Sequence, residues 1–547
     1  MNSRGRFLLT TFSGVPLSMN RFIPDPGLGL LASVLVDSGA FVRVLDFSTL
    51  ETFRRCSPKE GAADIHDAER QGGIGSEAAA HTRRAVSRRY LDAAANYLTE
   101  SISAAVECHA IEVVCFKPWL GAPMGVMNRV VSEVKRRHPS VVIALGGPTV
   151  TALGPSLLPY LCDAVDLVTF GPGEHVLPLL ADYARNPAVF DTLPRTWRRE
   201  AGRWRPSGGG EGQARRFRPT YDPAIYPAVA EDLLPAFVIE NQRGCAMRCP
   251  FCTHPAASGG ALRNFSADVA YAEIQDLNRR FGARVFRFSG SCSTPNFFTA
   301  MAKCVEDNPR SFLFSSFFHP EHLEQVDMTR LIRSGWCAIT LGIEAVDANN
   351  QRVFFDKELD LGVLERFESA HGGTGIYVAL SLIYPALFEC AESVKAFLRN
   401  YPIPSDRTSL ALFFPVVYPG TPWWEERARF GISLADDEAY LREIVLNESL
   451  LPPFKRGGVS LGGRSDDELR KLFSEAQSEQ SRHGISRMVP DEVALLGIGV
   501  GEKPNAFHAR TSTRLDHFEA EVFAEEFASI RRKLIEPREG GCPCPPS

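Results

Sequence analysis

The sequence predicts an α/β protein: an N-terminal doubly wound, Rossmann-like parallel sheet over residues 1–185, a linker over 186–235, a second α/β domain of six strand–helix units over 236–422, and a mainly helical C-terminal region over 423–547. Three observations carry this. Short apolar, β-branched runs recur, each followed by a stretch with helical spacing, which is the pattern of parallel strands joined by helical crossovers. The alternation is interrupted by an Arg/Pro/Gly-rich stretch over 182–226 centred on Ser207-Gly-Gly-Gly-Glu-Gly, the composition of an interdomain connection or of a β-hairpin laid on one domain. After Pro422 strand signals give way to helical periodicity. A chain of 547 residues is also too long for a single core.

In the N-terminal part, residues 6–11 read as a strand, 28–38 as an apolar helix closed by Gly39, and 41–47 as the next strand of a βαβ unit. Residues 57–76 are polar with several glycines and predict a surface excursion. A long Ala/Arg-rich helix follows over 77–107, then strands over 111–116 and 141–145 separated by a helix over 125–137. The second of these strands ends in Gly146-Gly147-Pro148, and a last strand over 167–170 ends in Gly171-Pro172-Gly173-Glu174. Open parallel sheets bind ligands outside the carboxyl ends of their strands, where both turns fall. Glycine there lets a large ligand approach the backbone, although a turn without a ligand reads the same way.

The stretch Asn241-Gln-Arg-Gly-Cys245-Ala-Met-Arg-Cys249-Pro-Phe251-Cys252-Thr-His254 organises the second domain. Three cysteines spaced C-x3-C-x2-C can each bind one iron of a [4Fe-4S] cube and leave the fourth iron open, whereas the usual protein cluster takes four. A zinc knuckle using His254 is the competing reading, but structural zinc sites pair two separated ligand couples and no second couple lies nearby. Ten further cysteines are scattered, and most fit small buried apolar positions. Cys542 and Cys544, in a Gly/Pro-rich tail, fit either a loose ligand pair or a disordered end.

Around that loop, strands are predicted over 237–240, 285–289, 313–318, 338–343, 377–383 and 409–415, with helices over 267–281, 296–308, 321–334, 361–370 and 390–400. The C-terminal region reads as helices over 436–450, 466–482 and 515–534 with a Pro/Gly break over 451–463.

The cysteine spacing, with Phe251 before the last cysteine, resembles the radical S-adenosylmethionine (SAM) enzymes, and six strand–helix units resemble their partial (β/α)6 barrel. The helix start at Pro26-Gly-Leu-Gly-Leu-Leu, the Gly-Gly-Pro turn and the Gly-Pro-Gly-Glu turn resemble the cobalamin-binding domain that precedes many such barrels. The resemblance implies Cys245, Cys249 and Cys252 as cluster ligands and the open iron as the site that chelates SAM. It places Phe251 beside the adenine and Ser289-Gly290 at the SAM amino group. Gly342-Ile-Glu344, with Ala345 where the branch carries serine, makes Glu344 either a SAM ligand or a cap of a neighbouring helix. It implies cobalamin against Gly146, Gly147, Pro148, Gly171, Gly173 and Glu174. Trp119 lies either against the corrin or its nucleotide tail, or in the sheet as a core aromatic. Tyr384 and Tyr418 are expected to face the barrel mouth, although as packing residues they would read the same way.

One departure stands out. The Asp-x-His-x-x-Gly motif that supplies an imidazole to cobalt is absent between Thr10 and Gly39, so the resemblance implies cobalamin without a histidine from this loop.

The expected activity is cobalamin-dependent methyl transfer to an unactivated carbon, or to phosphorus, of a small-molecule or peptide-derived intermediate, fed by an electron donor such as a flavodoxin or ferredoxin. A radical cyclase or rearrangement enzyme on the same scaffold, and a non-catalytic cluster or cobalamin carrier, are the alternatives. No catalytic general base is assigned, because hydrogen abstraction by a carbon radical needs none. Both strand-end surfaces would have to meet one substrate, with 117–119 and 146–150 near Cys252 and Glu344, since reacting atoms must come within about 3–3.5 Å. A formal charge of −5 without a basic stripe argues against a nucleic-acid partner. No apolar run approaches the ~20 residues that span a bilayer, and the start lacks a signal layout, so a cytoplasmic protein without a membrane partner is expected.

Overall fold

The computed structural model describes residues 5–73, 76–210, 217–258, 262–307, 312–388, 390–447 and 458–535. The chain divides into two compact units. The first comprises residues 1–234 with the returning segments 437–456 and 512–526; the second holds the rest.

The first unit is built on seven strands: β1 (Arg6–Thr11), β2 (Phe41–Asp46), β3 (Val113–Lys117), β4 (Val142–Leu145), β5 (Leu167–Thr169), β6 (Thr196–Glu200) and β7 (Arg203–Pro206). Their order is β2-β1-β3-β4-β5-β6-β7. The first five are parallel, so the order reverses between β1 and β3, the switch point of a doubly wound sheet. β1 is almost wholly buried, as a strand covered on both faces must be, and its centre, Phe7-Leu8-Leu9, is apolar. The first helix spans Pro26–Asp37, two residues earlier than its apolar run. Asp25 Oδ1 accepts from the amides of Gly27 at 2.8 Å and Leu28 at 3.0 Å, and Pro26 fits the first helical position because no amide is needed there.

One reading of this part is corrected and one open alternative is decided. The polar stretch over 57–76 is not a loose excursion: it contains the helix Gly61–Gly72, which lies along the long helix Glu77–His109. One large apolar residue, Ile65, is fully buried, and the polar flank is neutralised by Arg83–Glu69 and Arg89–Asp64 pairs at 2.6 Å each. A single apolar residue leaves no readable period, so only the partner helix reveals the element. Within the expected linker, β6 and β7 form an antiparallel hairpin that extends the sheet from β5. Residues 211–216, part of its glycine-rich centre, lie outside the described residues.

The second unit contains β8 (Ala236–Ile239), β9 (Gln242–Arg243), β10 (Arg263–Asn264), β11 (Val285–Phe288), β12 (Leu313–Phe318), β13 (Trp336–Glu344), β14 (Tyr377–Ile383), β15 (Thr408–Phe413), β16 (Ile432–Leu434), β17 (Val459–Leu461) and β18 (Ser486–Arg487). The main sheet runs β18-β15-β14-β13-β12-β11-β8 and is parallel throughout. Its six long strands are those expected from the sequence, and it is an open, partial barrel. The helix expected over 321–334 is two short ones, His322–Gln325 and Met328–Arg333, because Asp327 accepts from the Arg330 amide at 2.9 Å and restarts the helix.

The C-terminal chain differs most from expectation. The break over 451–463 contains β17, which pairs with β16, while 451–457 lie outside the described residues. The helix Asp491–Val500 was not anticipated: Gly497 and Gly499 depress its propensity, and its apolar residues lack a polar face. It packs against β11 to β14. Its glycines admit Phe507, Leu534 and Val285 to within van der Waals reach. At its start, Asp491 Oδ2 accepts from Arg287 Nε at 3.0 Å and Ser315 Oγ at 2.8 Å, two residues that are register partners on β11 and β12. No helix among the described residues is long and apolar enough to cross a membrane.

Candidate functional site

The cysteine loop leaves the carboxyl end of β8 and is fixed at its base. β9 and β10 pair antiparallel across it, Arg243 with Arg263 and Gln242 with Asn264. Asn241, only 1 % exposed, accepts the Gly290 amide at 2.8 Å and donates to Ser293 Oγ at 2.6 Å, joining this loop to the turn after β11. A Cβ on Gly290 would stand 2.9 Å from both partners, so the network requires glycine there. Within the loop the Cys252 amide donates to the Cys249 carbonyl at 3.1 Å, and the Trp423 amide donates to the Pro250 carbonyl at 3.0 Å. Cys245, Cys249 and Cys252 are free, partly exposed thiols. Burial pushes Cys249 up to about 12, against the opposing pull of Lys357, and raises Cys252 as well. A metal bound by these thiols would have to displace their protons.

Phe251 makes a T-shaped contact with Phe355 and a tilted one with Trp423, ring centroids 5.6 Å apart in each case. Trp423 is fully buried and donates its indole N–H to the Phe354 carbonyl at 3.1 Å. The amides of Ser289 and Gly290 are committed to Ile239 and Asn241. At the end of β13 a register shift accompanies Glu344, whose φ of +57° is unusual for a non-glycine residue. Its carboxylate turns back over Gly342, where a Cβ would collide with Oε1, and meets Lys357 Nζ at 2.7 Å. Lys357 also donates to the Gly342 carbonyl at 3.1 Å. Of the two tyrosines expected at the mouth, Tyr384 is buried at 2 % exposure and Tyr418 is half-buried.

Sequence reasoning missed several residues near this loop. Lys357 stands alone in its stretch and carries no motif. His319, at the end of β12, is buried, and burial together with the Lys357 cation and His322 lowers it to about 4, so it stays neutral. Cys292 Sγ lies 3.8 Å from His322 Nδ1, and burial pushes its thiol up to about 12. The His319-Pro-Glu-His322 spacing was the one available signal.

In the first unit, the expected turns sit at the carboxyl ends of β4 and β5. Gly147 (φ +106°) and Gly171 (φ +97°) adopt backbone conformations that L-residues rarely take. Gly173 is explained by packing, since a Cβ would meet Leu31 at 3.1 Å, while beside Gly146 only the Thr169 carbonyl comes within 4 Å. Pro148 opens the helix Pro148–Leu153, and Glu174 is buried. Trp119 lies two residues past the end of β3. Half-buried, it donates Nε1–H to Thr11 Oγ1 at 3.0 Å and lies 5.0 Å from the Arg21 guanidinium and 5.1 Å from Lys117 Nζ.

The last residues of β1, β2 and β3, namely Thr11, Asp46 and Lys117, gather with Asp25 and Tyr226. Lys117 pairs with Asp25, and Tyr226 donates its hydroxyl to Asp46. Burial raises Asp46 to about 6, partly offset by the Tyr226 hydrogen bond and reinforced by Asp25. A carboxyl raised from 3.8 contributes most to stability below that value and loses its contribution as pH rises through 6. Asp46→Asn keeps an acceptor for Tyr226 and cannot ionise. It should therefore be more stable than the parent by up to about 3 kcal/mol near pH 8 and equal to it near pH 4. Urea unfolding at the two pH values checks this; the same difference at both would refute the assignment.

Comparison with known structures agrees with this architecture. The chain superposes on the radical SAM methyltransferase TsrM from Kitasatospora setae with cobalamin and a [4Fe-4S] cluster bound, at TM-score 0.60 and 14% identity, covering 96% of this chain and 99% of that one. The same enzyme with tryptophan and a SAM analogue gives TM-score 0.60 and 15% identity over 96% and 100%. The cobalamin-dependent SAM radical enzyme OxsB with aqua-cobalamin gives TM-score 0.56 and 12% identity over 97% and 80%. The chain thus has the fold of cobalamin-binding radical SAM enzymes, both units included. No family model matches the sequence, and no curated protein matches it.

Proposed function

We propose that this protein is a cobalamin-dependent radical SAM enzyme, acting as a methyltransferase on an unactivated carbon, or on phosphorus, of a small biosynthetic intermediate. The observation that carries the reading is the three-thiol loop at the carboxyl end of the first strand of an open, partial barrel of seven parallel strands, in a chain whose other unit is a doubly wound sheet with glycine turns at its strand ends. The chain's structural neighbours are described with cobalamin, a [4Fe-4S] cluster and, for TsrM, tryptophan as substrate, which supports a small-molecule substrate here.

When bound, the cluster would supply an electron for SAM cleavage, and cobalamin would carry the methyl group. Cys245, Cys249 and Cys252 would hold three irons. With the amides of Ser289 and Gly290 committed, their carbonyl oxygens are the acceptors that a SAM ammonium would meet. Glu344, fixed by Lys357, adds a buried carboxylate at the same rim. Phe251, already packed edge-on against Phe355, offers ring surface for the adenine. In the first unit Gly146, Gly147, Pro148, Gly171, Gly173, Glu174 and Trp119 would cradle cobalamin, with no histidine between Thr10 and Gly39 to reach cobalt. A flavodoxin or ferredoxin would deliver the electron.

The test is anaerobic reconstitution of the full chain with iron and sulfide, followed by cobalamin, SAM and a reductant, dithionite or reduced flavodoxin. Formation of both 5'-deoxyadenosine and S-adenosylhomocysteine supports methyl transfer, 5'-deoxyadenosine alone supports a cyclase or rearrangement enzyme, and neither rejects the reading. Electron spin resonance of the cob(II)alamin state should lack nitrogen superhyperfine splitting from a protein imidazole, and its presence would contradict the predicted cobalt environment.

A further inference from the structure

We propose that His66, His517 and Glu519, in the first unit, form a binding site for one divalent transition-metal ion of the zinc class, distinct from the cysteine loop. One ligand atom from each lies within 4.8 Å of the others. His66 Nε2 is 2.8 Å and His517 Nδ1 is 3.9 Å from the same oxygen, Glu519 Oε1. A tetrahedral ion with bonds of ~2.0–2.1 Å holds its donors about 3.3 Å apart, so small rotations would close this trio around a metal.

Two features separate this cluster from an ordinary ion-pair network. His517 Nδ1 is buried and has no hydrogen-bond partner, while its other ring nitrogen, Nε2, contacts Glu69 Oε1 at 3.2 Å. A ligating histidine commonly gives its outer N–H to a carboxylate, which turns the other nitrogen's lone pair towards the ion. The supports are themselves supported: Arg83 holds Glu69 at 2.6 Å, and Arg514 holds Glu519 through its second oxygen, Oε2. The placement is also fixed by packing. His517 and Glu519 flank Phe518, which sits at φ +55° and buries its ring against Phe53 and Tyr90 with centroids 6.2 Å and 5.6 Å away. The His66 and His517 rings stand edge to face, centroids 4.8 Å apart. His66, with its side chain 42% exposed, leaves solvent access for a fourth ligand such as water. Glu69, Glu519 and Asp516 face Arg83 and Arg514, so the surroundings carry negative charge in excess when the imidazoles are neutral. An ion here would tie the returning segment 512–526 to the helix Gly61–Gly72 of the same unit.

The test uses the full chain with Cys245→Ala, Cys249→Ala and Cys252→Ala, stripped of metal and titrated with Co2+. One equivalent should bind with nitrogen and oxygen ligand-field bands, without thiolate charge transfer, and Zn2+ should displace it. Residues that merely orient a ligand cost about 10- to 100-fold in affinity, so His66→Ala, His517→Ala and Glu519→Gln should each weaken binding by more than about tenfold. Because His66 is half-exposed, His66→Ala should fold like the parent when metal-free, and Zn2+ should raise the melting temperature of the parent but not of this variant. Absence of Co2+ and Zn2+ binding by the folded parent, or binding that survives all three substitutions, would overturn the site and leave a histidine–carboxylate ion-pair network.

Discussion

Cys249→Ala should abolish the broad iron–sulfur absorption after anaerobic reconstitution and, with it, all reductive cleavage of SAM. Cys245→Ala and Cys252→Ala should do the same, because each thiolate is the proposed ligand of one iron and the loop holds no spare cysteine. Cys292 is the nearby thiol that could substitute, so each variant is best repeated with Cys292→Ser. Iron and sulfide analysis, the visible spectrum and chromatography of 5'-deoxyadenosine read the outcome. A full cluster in all three single variants would sink the assignment, and zinc in place of iron after anaerobic preparation would favour a zinc knuckle.

The second large effect is expected at Lys357. Its side chain and that of Glu344 are 6% and 10% exposed and meet at 2.7 Å. Burial alone would push the ammonium down, but Glu344 foremost, aided by Cys249, holds it above its ordinary 10.5. Lys357→Ala would strand a buried carboxylate and should lower the unfolding free energy by about 3–5 kcal/mol. A lysine held above its ordinary value contributes fully below that value and loses its contribution only as pH rises beyond it. The deficit should therefore be the same near pH 6 and near pH 9, unlike the pH-dependent effect expected of Asp46→Asn. The double variant Lys357→Met, Glu344→Gln should recover most of the loss, because it removes both charges together. Denaturant unfolding of the apoprotein decides this, and a cost under about 1 kcal/mol would show that Glu344 finds water or another partner.

The six barrel strands and the five parallel strands of the first sheet were legible because each carries a short run rich in apolar residues, a local property of the chain. The cysteine loop was legible because its three donors are neighbours in sequence. The helix Gly61–Gly72 was not, since its one buried apolar residue gains meaning only against the helix Glu77–His109. Nor was Asp491–Val500, whose glycines lower helix propensity and whose space is filled by Phe507 and Leu534. Trp119 had two readings in the sequence, and the structure shows it half-buried with its indole N–H on Thr11 at the end of β1.

By itself, then, the sequence determined what depends on short-range pattern: the α/β class, the strands, the positions of the glycine turns and the three adjacent thiols. Tertiary structure decided what depends on groups far apart in the chain. It brought Lys357 back to Glu344 across a short connection, and His66 to residues 517 and 519 some 450 positions away. It also divided the C-terminal chain between the two units. The physical reason is common to all three. Charge pairing and burial act through space, and a lone lysine, histidine or glycine carries no periodicity by which its distant partner can be read.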